Sequence, residues 1–258
     1  MKSTIATLVV LLCCALQPVA AQGIPDSAAP TVSSPLKLGR FVFALPPGEW
    51  QLIPVEGTAA TTAGEGARRP VARILAVQID PVARRLKAGA FFMATQVTSP
   101  NVTSWNGNAC NDPPSPLHRD MLDGNFNFPA CLVTDYWIVP ASRPTGLVGP
   151  KLWDWLKANN IDLPGTLLWA RYVKYQGGDF VWAVHYVNPE AFGLPPSLGR
   201  TRVTSEWNQA TLKGDAERSA YLEQFSKWGY VMSASARATL VGGSAGESSL
   251  PSVPVSGH

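Results

Sequence analysis

Charge and histidine are both scarce in this chain. Charged residues make up 15% of it, and 21 basic against 18 acidic side chains leave a formal charge of +3. Loss of Lys2 with a leader leaves 20 basic and 18 acidic groups, a net of +2. That balance gives no electrostatic basis for binding nucleic acid or an anionic membrane. The nearest thing to a basic cluster, Arg68, Arg69, Arg73, Arg84, Arg85 and Lys87, lacks interleaved aromatics and reads as a solvated strand end or turn. Histidine occurs three times, at His118, His185 and His258. Zinc sites and catalytic triads draw on a histidine held by neighbouring groups, so neither a metal nor a cofactor is expected. Past the N-terminal stretch there is no apolar run long enough to cross a bilayer, and there is no internal repeat.

Cysteine is rare as well, with four residues. Two of them, Cys13 and Cys14, sit in an export leader. Met1-Lys2 supplies a short positive start, Thr4 to Leu16 an unbroken apolar or small run, and Pro18 a break. Val19-Ala20-Ala21 offers small residues where a signal peptidase reads, so cleavage is expected after Ala21. Cys13 follows Leu12 and Cys14 follows a cysteine, where lipoprotein signals favour Gly, Ala or Ser, which speaks against lipidation. The mature chain then holds only Cys110 and Cys131, in a periplasmic or secreted, oxidising setting. A bridge between them closes a loop of about 22 residues, which the loop-entropy model values at about 3 kcal/mol.

What is present is apolar and sheet-like. Apolar residues are 46% of the chain, enough for a proper core. Residues 22–36 are rich in Ala, Pro and Ser and read as a flexible linker. The domain is expected to run from 37 to 240, with a disordered Gly/Ser/Pro tail at 241–258. Strands are expected at Phe41–Leu45, Trp50–Val55, 71–79, 86–97 and Leu132–Val139, with a hairpin turn at Asp80-Pro81. LLWARYVKYQGGDFVWAVHYV (167–187) places two aromatic strands around Gly177-Gly178, a pair suited to positive φ in a tight turn. Pro150 opens a helix to about Asn159, and a second helix runs from about Asp215 to Leu240. Gly229 within it is expected to permit close approach to a strand. The fold class is therefore α+β: a mostly antiparallel sheet of about seven strands with two helices packed on one face.

The LPPGEW opening (45–50) resembles the start of exported bacterial proteins with an LPPGxW motif. An aromatic strand, a Pro-Gly turn and a Trp also open the PsbP-like fold. The later order of helix, aromatic hairpin and long C-terminal helix is similar to that fold over residues 38–240. The insert at 110–131 departs from it. The resemblance implies a non-enzymatic accessory or binding role and transfers no site residues.

Gly242-Gly243-Ser244-Ala245-Gly246 spells the hydrolase elbow, but that motif needs a strand before the serine and a helix after it. Here a helix precedes and a tail follows, with only His258 beyond. His185 reads as a satisfied strand histidine. The sequon Asn101-Val102-Thr103 carries weight only in a eukaryotic source. Asp120, Asp123 and Asn125 miss the EF-hand spacing. Trp50, Trp137, Trp169, Trp182 and Trp228 are expected in the core. Trp153 and Trp155, two apart on a helix, cannot both face it.

The stretch 98–130 is irregular and the bridge closes around most of it; the 101–131 segment, with nearby aromatics, is the expected binding region, because loops on rigid scaffolds carry function disproportionately. Its candidate residues are Trp105, Asp112, His118, Asp120 and Asp123. The expected function is that of an exported binding or accessory protein for a small molecule, a glycan or an envelope partner. Two alternatives stand beside it. One is a hydrolase using His118, Asp120 and Asp123. The other is a structural subunit of an envelope complex with Trp153 or Trp155 at the contact.

Overall fold

Two long apolar strands, β6 (Ala67–Asp80) and β7 (Arg85–Thr95), form the hairpin at the centre of one large sheet. Asp80 shapes the turn between them, its Oδ1 accepting from the amides of Val82 (3.0 Å) and Ala83 (2.8 Å). The computed structural model describes residues 29–55, 59–63, 67–97, 109–124, 129–144, 149–241 and 249–256. The sheet is completed by β1 (Thr31–Val32), β4 (Trp50–Ile53), β5 (Ala59–Ala63), β8 (His118–Met121), β9 (Ala130–Ile138), β10 (Thr166–Gln176) and β11 (Asp179–Val187). Its order is β1-β4-β6-β7-β11-β10-β9-β8, with β5 on β6 and every pairing antiparallel. β2 (Leu36–Leu38) and β3 (Phe41–Phe43) form a separate small hairpin. The Gly177-Gly178 turn joins β10 to β11, with φ of 57° and 84° as the pair was expected to supply.

The helices are α1 (Gly149–Ala158), a single turn α2 (Gln209–Leu212) and α3 (Ala216–Ala238). Asp215 caps α3, accepting from the amide of Arg218 at 2.9 Å. Successive strand residues point to opposite faces, and both faces of this sheet are apolar. On one face Ala76, Ala90, Ala94, Ala170 and Ala183 keep the surface low, so that Tyr221, Phe225, Trp228 and Met232 of α3 settle onto it. Each such side chain contributes about 1.5–3 kcal/mol on burial. Gly229 meets the sheet here. A Cβ at this position would lie 3.4 Å from Leu132 and 3.5 Å from Ala170, which is the close approach its place in the helix suggested.

The α+β architecture is as expected, but α1 is not on the face of α3. Leu152 and Leu156 pack with Ile53, Val71, Leu75, Val77, Phe91, Val133 and Leu167, which project from the opposite side. Helical periodicity identifies a buried stripe. It cannot assign that stripe to a face when both faces are apolar.

Both proposed ends of the domain also need correction. The expected linker, 22–36, contains β1, paired with Trp50 and Gln51, and the buried Leu36 of β2. Residues 22–28 lie outside the described residues, as do the proposed leader and its cleavage site. The expected tail is packed over 249–256. Leu250 and Val253 are buried, the Leu250 amide donates to Leu45 O (3.1 Å), and Trp228 Nε1 donates to Pro251 O (3.0 Å). A few apolar residues among Ser and Pro suffice when a groove beside a helix receives them. Among the described residues, no helix is long and apolar enough to cross a membrane.

The LPPGEW segment is a structural turn. Trp50 is fully buried, its indole N–H donates to Pro46 O at 2.9 Å, and Gly48 has φ +121°. A Cβ on Gly48 would also collide with the Gln78 amide.

Candidate ligand-binding cleft

The sheet face opposite α3 is only partly covered, and a cleft of about 830 Å³ opens on it. Its floor follows the two-residue alternation. It takes Phe91 and Met93 from β7, Trp182, Val184 and Tyr186 from β11, Trp169 and Arg171 from β10, and Asp135 and Trp137 from β9. Asp112 and Pro113 of the bridged insert, the 140–144 segment, Leu152 and Arg202 complete the lining. Trp137, Trp169, Trp182 and Tyr186 are each only half-buried. A volume in the range of small-molecule sites, a largely aromatic surface and a few fixed polar groups are the usual marks of a ligand cleft.

Arg171 is its most unusual member. It stands mid-strand, 6% exposed, with its guanidinium 5.2 Å from the Trp169 ring centroid and 5.0 Å from that of Trp182. Nη2 donates to the carbonyl of Ala109 at 2.5 Å and to that of Asp112. Nε has no hydrogen-bond partner among the described residues. None of the described carboxylates forms an ion pair with this side chain, and of the charges that support it Asp112 contributes most. Burial lowers its pKa, an effect that Asp112 partly offsets. Tyr186 beside it has its phenol raised by burial, with Arg171 pulling the other way.

The insert reaches Arg171 because the disulfide holds it there. Cys131 is buried on the cleft face of β9, and its bond to Cys110 sets Ala109 and Asp112 over β10. Arg119, the β8 residue opposite Val133, adds a hydrogen bond to Pro113 O.

Two other arginines of the cleft are paired with carboxylates. Arg202 clasps the buried Asp135 through Nη2 at 2.9 and 3.0 Å and donates to Tyr136 O at 3.1 Å. Burial lowers the Arg202 pKa, and the hydrogen bond and charge of Asp135 outweigh that and raise it. Arg143 and Asp154 form an exposed bidentate pair at 2.7 and 2.6 Å, linking the 140–144 segment to α1. A second hollow of about 610 Å³ near the β6–β7 turn is lined by Glu49, Asp80, Arg84, Lys87 and Trp155.

The site residues expected from sequence are not brought together. Trp105 lies outside the described residues, as do the sequon at 101–103, the Gly242–Gly246 motif and His258. Asp112 lines the cleft. His118 and Asp120 face the other way, toward α3. The Tyr230 hydroxyl donates to Asp120 Oδ2 (2.8 Å), leaving its oxygen to accept from His118 Nε2 (3.0 Å). Burial, and then the bond to Asp120, raise the Tyr230 phenol, so it serves as a neutral donor. Asp123 pairs with Lys174 at 3.0 Å and with Arg237 at 2.5 Å. These three residues therefore fasten α3 to the sheet edge.

His185 is buried beneath α3, edge-on to Phe92 (5.4 Å) and Trp228 (5.2 Å). The expectation of a satisfied histidine fails, since its Nε2 has no partner among the described residues. Trp50 and Trp228 are core residues as expected, whereas Trp137, Trp169 and Trp182 floor the cleft. Trp153 and Trp155 are both half-buried. The missed signal was in the alternation. Trp169, Arg171 and Trp182 share one face of a hairpin whose other face carries Ala170, Tyr172 and Ala183. A cation in the middle of such a strand marks the face that is not simply core.

Among the described residues no three His, Cys, Asp or Glu side chains converge as metal ligands. No protein-family model, curated protein or solved structure matches the chain.

Proposed function

We propose that this is an exported, non-enzymatic binding protein whose tryptophan-floored cleft takes a small ligand with a flat ring face. The carrying observation is the set of three half-buried tryptophans, Trp137, Trp169 and Trp182, on one uncovered sheet face around the buried Arg171. Indole faces stack on aromatic rings and on the apolar faces of sugars, and a rigid sheet presents them at little entropic cost. The leader-like N-terminus and the Cys110–Cys131 bridge support a periplasmic or secreted setting. The likeness of the LPPGEW opening to PsbP-like proteins agrees with a non-enzymatic role.

The hydrolase alternative draws no support from His118, Asp120 and Asp123, whose polar atoms are engaged in holding α3 and Lys174. An envelope-partner role would use the same cleft, with a ring-bearing group of the partner as its ligand.

The test is a titration of residues 22–258 with aromatic and sugar ligands, followed by tryptophan fluorescence and thermal shift. A ligand at 100 times its Kd should add about 2.7 kcal/mol of stability. Trp182→Ala should weaken any such binding at least tenfold while leaving the far-UV circular dichroism unchanged. Saturable binding that survives both Trp182→Ala and Trp169→Ala would place the site elsewhere.

A further inference from the structure

We infer that the ligand of this cleft is an acid: a flat ring bearing a carboxylate that Arg171 receives. This rests on the cleft being the binding site and adds the charge of what enters it.

The chemistry follows from what surrounds the guanidinium. It lies 5.2 Å from the Trp169 ring centroid and 5.0 Å from that of Trp182, and Nη2 is committed to two main-chain carbonyls. Carbonyl dipoles orient a cation but do not neutralise it. Elsewhere in the cleft, protein carboxylates already serve the other cations, Asp135 for Arg202 and Asp154 for Arg143. Arg171 is thus the cleft cation with no ion pair among the described residues, and it is also the most buried of the three. A buried cation whose charge is only partly offset, here by Asp112, attracts an anion and gives a neutral ring no such reward. A carboxylate is the anion that matches a guanidinium edge, where Nε–H has no partner among the described residues. The flanking indoles put a ring attached to that carboxylate onto a stacking surface, so ring and charge are recognised together.

An aromatic acid and an acidic sugar share this chemistry, and the test separates them. Indole-3-acetate is compared with indole-3-acetamide, and digalacturonate with its neutral counterpart, digalactose of the same linkage, by calorimetric titration of the wild-type chain at pH 7. The expected result is that the acid of one pair binds at least tenfold more tightly than its neutral partner. The pair that shows the preference identifies the source. Arg171→Met should erase the preference, and Lys227→Gln, at an exposed position of α3 on the far side of the sheet, should leave it in place.

Equal binding of acid and neutral partner in wild type overturns the inference and leaves the binding function standing. Preference kept in Arg171→Met, or lost as fully in Lys227→Gln, overturns the assignment to Arg171. If none of the four ligands binds the intact chain, the ring-binding function fails and the inference fails with it. Should Arg171→Met not fold, Arg171→Lys takes its place: it keeps the charge without the planar fork, and a preference undiminished in it overturns the assignment.

Discussion

Removing the Cys110–Cys131 bridge should both soften the fold and disorganise the cleft. The bonded residues are 21 apart in sequence, and the closed loop releases about 3 kcal/mol of chain entropy to the unfolded state when it is opened. Cys110→Ala/Cys131→Ala is the cleaner substitution because both positions are buried and a serine hydroxyl there would need a partner. For a domain of about 200 residues, roughly 2–4 °C are lost per kcal/mol, so the melting temperature should fall by roughly 6–12 °C. The midpoint of guanidinium unfolding should fall with it at unchanged slope. The second consequence is local. Ala109 and Asp112 hold Arg171 through their carbonyls, and the bridge is what fixes them there. Opening it should weaken binding of the acid probe more than binding of its neutral partner. A loss below about 1 kcal/mol, with ligand affinity unchanged, would refute the view that the bridge pins a wall of the site.

Deleting 249–258 removes the buried Leu250 and Val253 and should cost about 3–5 kcal/mol, whereas a disordered tail would cost nothing; calorimetry of the truncated chain decides. Gly229→Ala should be neutral or stabilising by up to about 1 kcal/mol, since its methyl would meet Leu132 and Ala170 at ordinary contact distance. Gly229→Leu should cost about 1–3 kcal/mol by lifting α3, and unfolding midpoints of the two variants should move in opposite directions or differ clearly. Burial lowers His185 from 6.5 to about 3, so between those values the unfolded chain binds a proton that the native one refuses. Stability should therefore fall as pH drops through that window, on the order of 3 kcal/mol by pH 4.5. His185→Leu should show a shallower loss between pH 7 and 4.5 in urea unfolding, and an identical slope would refute the assignment.

Seven of the strands (β3, β4, β6, β7, β9, β10 and β11) and both main helices were legible because each rests on local signals, whereas β1, β2, β5 and β8 were not. Examples are the Gly177-Gly178 turn, the Asp80 turn, Pro150 at the start of α1 and the apolar stripe of α3. The side of the sheet that each helix occupies was not legible. VARILAVQI and LLWARYVKY are apolar on both faces, and only tertiary packing tells them apart. The bridge was readable by elimination, but its consequence was not. The insert was taken as the site itself, whereas in the described residues it divides. Asp112 goes to the cleft, His118 and Asp120 to α3, and Asp123 to Lys174 and Arg237. A strand shorter than five residues, such as β8, sends neighbouring side chains to opposite faces, and composition carries no record of that.

The cleft itself follows from a mismatch of lengths. α1 has ten residues, about 15 Å of helix, and it packs beside β4. From β4 across β6, β7, β11 and β10 to β9 is five strand spacings, about 24 Å. One short helix about 10 Å wide cannot roof that span, and α3 is occupied on the far face. A sheet face left open in this way would ordinarily be polar, with alternation placing Lys, Thr or Glu outward. Here the open positions are Trp137, Trp169, Trp182 and Tyr186, and the charge among them is stacked between indoles. Half-buried aromatics on a rigid surface are a liability for solubility in a lone domain, and such contiguous apolar patches mark interaction sites. Trp50, Trp207 and Trp228 show that this chain can bury its indoles completely where packing is their task. The three left half-covered around a guanidinium that has no ion pair among the described residues are better accounted for by something that binds there.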